Sequence, residues 1–168
     1  MSMRIETEID PANFRSVMGR YPTGVCVISG LQSNGAPTGM VVGSFTSVSL
    51  APPLVAFLPG KASSSWSQMK ASGQFCVNVL ASDQIELCQA FSRKGEGKFE
   101  GVRYSLSDRG LPVLDDVIAY VECSTENEID AGDHTIVIGL VKTLRPLRDA
   151  PALIFYRGGY REVAAHNL

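Results

Sequence analysis

The predicted fold is decided by one stretch, Gly39-Met40-Val41-Val42-Gly43-Ser44-Phe45-Thr46-Ser47-Val48-Ser49-Leu50-Ala51-Pro52-Pro53-Leu54. It begins as an apolar strand, passes through a run of small and hydroxylated residues, and meets two prolines that stop the ladder before a second apolar strand, Leu54 to Leu58. Small side chains leave backbone N–H groups open to close approach by a ligand. The stretch is consistent with a cradle for a flat polar ring. Composition alone favours the alternative, an ordinary strand that ends in a serine-rich loop.

Composition limits the class of protein. The chain has 168 residues, 45% of them hydrophobic, which suits a single globular domain over residues 1–168. Its 15 basic and 17 acidic residues are spread along the chain and leave a formal charge of −2, so we expect neither nucleic acid nor membrane as a partner. No apolar run approaches the roughly 20 residues that span a bilayer. The segment Met1–Glu6 lacks the apolar core of a signal peptide, so the predicted location is cytoplasmic.

The cysteines and histidines are interpreted as structural. Cys26, Cys76, Cys88 and Cys123 have no C-x-x-C spacing, and three of them lie in apolar, strand-like stretches. We expect reduced core residues rather than a metal site or a redox-active disulfide. Neither His134 nor His166 has a partner at metal-ligand spacing, so no metal is predicted.

The N-terminal third predicts a short helix followed by a hairpin. Asp10 and Pro11 are typical of an N-cap and a first helical position. Apolar residues then recur at helical spacing on one face until Pro22: they are Phe14, Val17, Met18 and Tyr21. A strand over Gly24–Ser29 and a turn at Ser33–Pro37 predict a hairpin whose second strand carries Ser44–Ser47.

The remainder predicts helices inserted among strands. In chain order, we expect a helix from Ser63 to Gly73, a buried strand over Gln74–Leu80, a helix capped by Ser82-Asp83, paired strands over Val117–Ser124 and His134–Leu144, and a final strand over Ala152–Tyr156. At least six strands with helices between them indicate an antiparallel barrel with helical decoration. A G-x-G-x-x-G fingerprint and alternating βαβ units are absent from the sequence, which disfavours a Rossmann nucleotide site.

Several short motifs occur in an order and spacing that is specific when they are taken together. They are Phe14-Arg15, Pro22 to Ile28, Ser44 to Leu50 with Pro52-Pro53-Leu54, Gln74 to Leu80, Gln84, Phe91, Lys98-Phe99-Glu100-Gly101, Gly110-Leu111-Pro112, Gly132 to Ile136 and Tyr156 to Tyr160. From about residue 14 to residue 160 the chain resembles the flavin reductase family. The resemblance implies a mainly β protein with α decoration, an antiparallel FMN-binding split β-barrel.

The resemblance also implies an activity. Members are NAD(P)H-dependent flavin reductases that transfer hydride from NADH or NADPH to FMN, or alternatively FAD. They commonly supply reduced flavin to a separate monooxygenase, and they are usually homodimers. The cofactor carries the difficult chemistry in such a reaction, so a nucleophile or metal is not required. Two alternatives remain open: a non-enzymatic flavin- or haem-binding protein on the same barrel, and a flavin-dependent oxidoreductase that acts on an organic substrate.

Candidate flavin-binding residues follow from the sequence and from the resemblance. Three consecutive serines at a predicted helix start, next to Lys61, suit the flavin phosphate, although simple capping of a surface helix would explain them equally. Lys98-Phe99 follows a charged, glycine-rich connection, and the resemblance brings this element to the flavin. The candidates are Val41, Val42, Gly43, Ser44, Phe45, Thr46, Ser47, Pro59, Ser63, Ser64, Ser65, Lys98 and Phe99.

Three further residues are candidates for the nicotinamide side. The resemblance assigns His134 to the nicotinamide pocket and makes it the one candidate for a polar catalytic residue. It also brings Arg157 and Tyr160 to the NAD(P)H site. Many relatives have threonine and asparagine where this chain has Val41 and Gly43, so backbone groups must replace some side-chain hydrogen bonds to the flavin here.

Overall fold

The computed structural model of the protein describes residues 9–163. Met1–Glu6 and His166, which were interpreted from the sequence, lie outside these residues. Within them, no helix combines the length and apolar character needed to cross a membrane, and no cluster of three or more His, Cys, Asp or Glu side chains could hold a metal ion.

Strands are the main regular structure in the described chain. The strands are β1 (Thr23–Gly24), β2 (Cys26–Leu31), β3 (Pro37–Val42), β4 (Thr46–Leu50), β5 (Pro53–Phe57), β6 (Gln74–Val79), β7 (Tyr104–Leu106), β8 (Pro112–Leu114), β9 (Ala119–Ala131), β10 (His134–Pro146), β11 (Leu153–Tyr156) and β12 (Gly159–Glu162). The helices are α1 (Pro11–Met18), α2 (Ser64–Met69) and α3 (Ile85–Ser92), and a 3-10 turn at Lys70–Ser72 extends α2.

Seven strands form one antiparallel sheet in the order β3-β2-β6-β9-β10-β5-β4. β3 and β4 lie at opposite edges, yet only Gly43–Phe45 connects them. That connection spans at most about 15 Å, whereas seven strands lying flat would separate the edges by about 29 Å. The sheet must curl until its edges approach each other. The result is a barrel left open between β3 and β4, which confirms the predicted antiparallel split barrel.

Both faces of the sheet are buried at β2, where successive residues point to opposite sides and both sets are covered. On β2, Cys26 and Ile28 belong to a cluster that contains Phe57, Trp66 and Phe75. These three aromatic rings meet edge to face, with centroids 5.0 to 6.2 Å apart. Val25 and Val27 belong to a second cluster on the other face: Val25, Val27, Leu80, Cys88, Phe91, Leu114, Val117 and Leu153. All four cysteines are buried, unpaired thiols, as predicted.

The helix signals were read correctly at α1 and α2. The Asp10 carboxylate accepts hydrogen bonds from the backbone N–H groups of residues 12 and 13, at 3.2 and 3.1 Å. Ser63 caps α2, and Gly73, with a left-handed φ of 68°, ends the 3-10 turn that follows. The predicted cap of α3 was wrong. Its N-cap residue is Gln84, whose amide oxygen accepts from Ala81 N at 3.0 Å and whose amide nitrogen donates to Asp115 O at 3.0 Å.

Three strand boundaries differ from the prediction. The second hairpin strand ends at Val42, and a new strand begins at Thr46, because the chain must cross from one sheet edge to the other between them. Pro53 does not stop the ladder but opens β5, paired with Leu50. A strand also follows Tyr156: the turn at residues 157 and 158 reverses the chain into β12.

The predicted pairing of the two long strands, β9 and β10, is confirmed. They are longer than predicted and meet at a two-residue turn, Gly132-Asp133.

Candidate functional site

The segment that follows β5 organises the site. The Ser44 hydroxyl accepts a hydrogen bond from Leu58 N at 2.9 Å, which attaches the β3–β4 connection to this segment. On the other side, Thr135 N donates to Pro59 O at 3.0 Å, and Lys61 N donates to Asp133 O at 2.9 Å. Ser44–Ser47 and the start of β10 therefore flank residues 58–61, and Pro59 is buried between them.

The edge of β4 is the candidate cradle for a ring. Thr46 and Ser47 pair with Ala56 and Val55 of β5. The opposite edge of β4 has no strand partner within residues 9–163, so alternate backbone N–H and C=O groups face outward. The hydroxyls in this run are partly occupied: Ser44 contacts Leu58, and Thr46 donates to the neighbouring carbonyl at 3.2 Å. The backbone is therefore the more available source of donors.

Gly43 marks a close approach between two chain segments. A Cβ at this position would lie 2.8 Å from the Thr23 hydroxyl, so an asparagine here would require Thr23 to move. Val42 is buried in the barrel, and Val41 is half-buried. A cavity of about 200 Å³ opens beside them, lined by Val25, Val41, Val42, Gly43, Phe155 and Tyr160. The structure thus brings Tyr160 next to Val41–Gly43.

Lys98 joins three elements, β3, α2 and α3. Its ammonium group donates to the Ser65 hydroxyl at 2.9 Å, to Gly39 O at 3.2 Å and to Phe91 O at 3.3 Å. Ser65 is only 2% exposed. Partial burial lowers the pKa of Lys98 below its ordinary value. Lys98 and Ser65, 33 residues apart in the sequence, are therefore direct neighbours.

A cavity of about 480 Å³ opens at this point. Its lining is Met40, Val41, Ala62, Ser63, Ser64, Ser65, Phe91, Ser92, Arg93, Lys94 and Lys98. Three cationic side chains and several hydroxyls in one cavity are suited to an anion such as a phosphate. Arg93 and Lys94 were missed as site residues, since their charged, glycine-rich context indicated only a solvated loop. Their position directly before the Lys98-Phe99 element was the available signal.

Phe99 lies apart from the cradle within this chain. Its ring packs edge to face on Phe91 and Tyr104, with centroids 4.9 and 5.0 Å away. It lines a separate depression with Gln32, Pro37 and Lys98, and it is not part of the lining of the cavity that contains Ser63–Ser65. Phe45, by contrast, packs partly on the aromatic cluster inside the barrel.

His134 is held by the residue before it. Its Nδ1 lies 2.7 Å from the Asp133 carboxylate, which lowers the pKa of Asp133 below its ordinary value. A carboxylate only accepts hydrogen bonds, so Nδ1 is the donor in this contact, and within residues 9–163 Nε2 has no hydrogen-bond partner. Nε2 points to Gly60: a Cβ at Gly60 would lie 3.9 Å from it. A side chain in this arrangement can orient a polar ligand group or exchange a proton with it.

Tyr160 and Arg157 belong to the β11–β12 hairpin. The Cys88 sulfur lies 3.2 Å from the Tyr160 hydroxyl, and this contact together with partial burial raises the pKa of Tyr160. Arg157 lies in the hairpin turn, where its N–H donates to Gly19 O at 2.8 Å. It lines a cavity at the end of α1 together with two arginines that were not among the candidate site residues, Arg15 and Arg20.

Comparison with known proteins gives a consistent result. Residues 18–164 match the family described as the flavin reductase like domain. A flavin reductase of Pseudomonas putida is 50% identical over 161 residues, which cover 96% of this chain and 95% of the relative. The reductase subunit HsaB of a flavin-dependent monooxygenase from Rhodococcus jostii is 43% identical over 152 residues, covering 90% of this chain and 77% of the subunit.

Solved structures agree with the sequence relatives. The NADH:FAD oxidoreductase SgcE6 of Streptomyces globisporus, solved in complex with NAD and FAD fragments, superposes with a TM-score of 0.86 at 34% identity. The superposition covers 94% of this chain and 96% of that one.

Proposed function

Because this chain belongs to the flavin reductase family, we propose that it transfers hydride from NADH or NADPH to a flavin bound along Val41–Ser47. Flavin reduction is the activity that family membership carries. The identity of the two nucleotides, the residues that hold them and the fate of the reduced flavin are our proposals.

The Lys98 cavity is the observation that supports the flavin site most strongly. An anion-binding lining of Ser63–Ser65, Lys98 and Arg93 lies beside Val41, and Val41 leads directly to the open edge of β4. FMN needs both features, a cationic site for its terminal phosphate and backbone donors for its ring. We therefore propose FMN as the flavin, with FAD as the alternative.

Alignment is the main contribution of the protein in this proposal. When bound, the flavin supplies the hydride acceptor. Outward-facing N–H groups of β4 would stabilise negative charge on the ring, and the buried segment at Pro59 excludes water from one side. His134, oriented by Asp133, would position the nicotinamide group or exchange a proton through Nε2. Tyr160 would border the same space from the β11–β12 hairpin.

A partner monooxygenase and a homodimer complete the proposal. Relatives named as reductase subunits of flavin-dependent monooxygenases support the delivery of reduced flavin to a separate oxygenase.

The apolar face of α1 supports self-association, because α1 has no buried residue and its large apolar side chains are exposed. Four such side chains on α1 and just after it are each between 52% and 70% exposed: Phe14, Val17, Met18 and Tyr21. Free, buried cysteines fit the cytoplasm that we propose as the location.

Anaerobic bleaching of the flavin tests the proposed reaction. The purified protein is mixed with FMN and then with NADH or NADPH, and loss of the oxidised flavin spectrum is followed in time. We expect bleaching with at least one nucleotide at a rate that depends on the protein. A bound flavin that neither nucleotide reduces would refute the hydride transfer and leave the binding-protein alternative.

A further inference from the structure

A second cationic cavity lies between α1 and the β11–β12 turn. Its volume is about 470 Å³, and its lining is Ala12, Arg15, Ser16, Gly19, Arg20, Arg157 and Gly158. Three arginines and no acidic residue line this cavity, and among residues 9–163 none of the three arginines forms an ion pair. The Arg157 guanidinium also lies over the Tyr156 ring, 5.2 Å from its centroid. Arginine presents a planar fork of N–H donors that matches phosphate oxygens, so such a lining favours a polyanion.

The end of α1 does not cancel this charge. The carbonyl end of a helix carries partial negative charge when its C=O groups are unsatisfied. Here three of the last four are occupied: Arg15 O accepts from Gly19 N, Val17 O from Arg20 N, and Met18 O from Tyr21 N, at 2.9 to 3.0 Å. Gly19 O accepts from Arg157 N. The guanidinium groups therefore dominate the local potential.

Arg157 occupies a turn position whose backbone conformation favours other residue types. It and Gly158 are the central residues of a two-residue hairpin turn, with φ of 49° and 74°. Turns with positive φ at both positions prefer asparagine, aspartate or glycine at the first. A non-glycine residue in the left-handed region is uncommon and points to function when it lies in a binding cavity. An arginine here is unfavourable for the turn but adds a third charge to the cavity.

We propose that Arg15, Arg20 and Arg157 bind the diphosphate of the nicotinamide dinucleotide. The inference rests on the proposed function and adds Arg15, Arg20 and their cavity to it. Phe155 on β11 lies two residues before Arg157, and Tyr160 on β12 lies two residues after Gly158. Each is therefore about 7 Å along its strand from the turn. Those two side chains line the small cavity beside Val41–Gly43. A dinucleotide can therefore extend from the ring site to the arginines.

The flavin phosphate has a different place in this arrangement. The Lys98 cavity and the cavity lined by Arg15, Arg20 and Arg157 share no lining residue. The small cavity shares Val41 with the Lys98 cavity, and the β11–β12 hairpin connects it to the arginines. FMN has a single phosphate, which the Lys98 cavity would hold. A separate site with three arginines is suited to the phosphates of the other substrate.

The test compares two hydride donors with riboflavin as the acceptor. NADH carries the diphosphate, whereas N-benzyl-dihydronicotinamide carries no phosphate. The variants are Arg157→Asn, Arg20→Gln and the double variant, and Arg145→Gln, on the exposed surface of β10, is the matched control. Asparagine suits the turn, so Arg157→Asn removes the charge without a loss in the urea midpoint of unfolding.

We expect the ratio of kcat/KM for NADH to kcat/KM for the benzyl donor to fall about tenfold in each single variant, equivalent to about 1.4 kcal/mol. The ratio in the unsubstituted protein should also fall with added salt, because screening weakens exposed charge pairs.

An unchanged ratio, or an equal loss with both donors, would overturn the inference. A selective loss with FAD relative to riboflavin, at an unchanged donor ratio, would move the diphosphate to the flavin and also overturn it. If the unsubstituted protein oxidised neither donor, the proposed function itself would fail, a result distinct from an unchanged ratio.

Discussion

Replacing Lys98 by methionine should weaken FMN binding far more than riboflavin binding. The two flavins differ by the terminal phosphate, and Lys98 is a half-buried cation in the cavity proposed to hold it. Methionine has a similar length and no charge, so it fills much of the same space.

The magnitude follows from the surroundings of Lys98. A hydrogen bond to a charged group contributes about 1.5–3 kcal/mol, and partial exposure places this one toward the lower part of that range. Loss of about 2 kcal/mol corresponds to roughly a thirtyfold rise in the Kd of FMN. Because Arg93 and Lys94 remain in the cavity, binding should weaken rather than disappear.

Quenching of flavin fluorescence measures both Kd values in one buffer. Lys98 also donates to Gly39 O and Phe91 O, so its removal disturbs local packing for either ligand. Riboflavin reports that structural part, which we expect to be less than about threefold, and Lys98→Arg should recover most of the FMN affinity. An equal rise in both Kd values would show that Lys98 is structural and that this cavity does not hold the phosphate.

Three more predictions concern the core, the thiols and the nicotinamide side. Gly139→Ala should lower the free energy of unfolding in urea by about 1–3 kcal/mol, because the new Cβ would lie 2.5 Å from the Phe75 ring. Gly24→Ala is the control, since a Cβ there would have no atom within 4 Å. The native protein should react with almost no thiol reagent at pH 8 and with four equivalents after unfolding, because burial raises the pKa of Cys26 and Cys123 to about 12; rapid labelling of the folded protein would contradict this. His134→Asn should lower kcat about tenfold to a hundredfold with the Kd of FMN unchanged, as expected for a positioning error; an unchanged kcat would remove His134 from the reaction.

Local signals in the sequence were sufficient for much of the fold. The Asp10-Pro11 start of α1, the Ser63 cap and the Gly73 stop each depend on one or two residues and their own backbone, so the sequence specifies them directly. The cap of α3 failed because Gln84 gained partners at Ala81 and Asp115, and a contact across 31 residues is invisible to a local rule.

The parts of the candidate site were recognisable in the sequence, but their assembly was not. The run at Ser44–Ser47 and the three serines were recognisable from residue type. The break between β3 and β4 was not, because it results from closure of the sheet rather than from any residue in the run. The approach of Arg157 to α1 likewise depends on the pairing of β1 with β11, which brings together residues far apart in the chain. The apolar face of α1 was recognised, yet nothing within one described chain buries it.

The dependence of nucleotide oxidation on free flavin tests the central claim most directly. Oxidation of NADH and NADPH is followed at catalytic protein concentration, with FMN and FAD each varied from zero to saturation. We predict turnover that rises hyperbolically with added flavin and far exceeds one equivalent per protein, as required of an enzyme that releases reduced flavin. Absence of nucleotide oxidation at every flavin concentration, in a protein that binds flavin, would contradict the account.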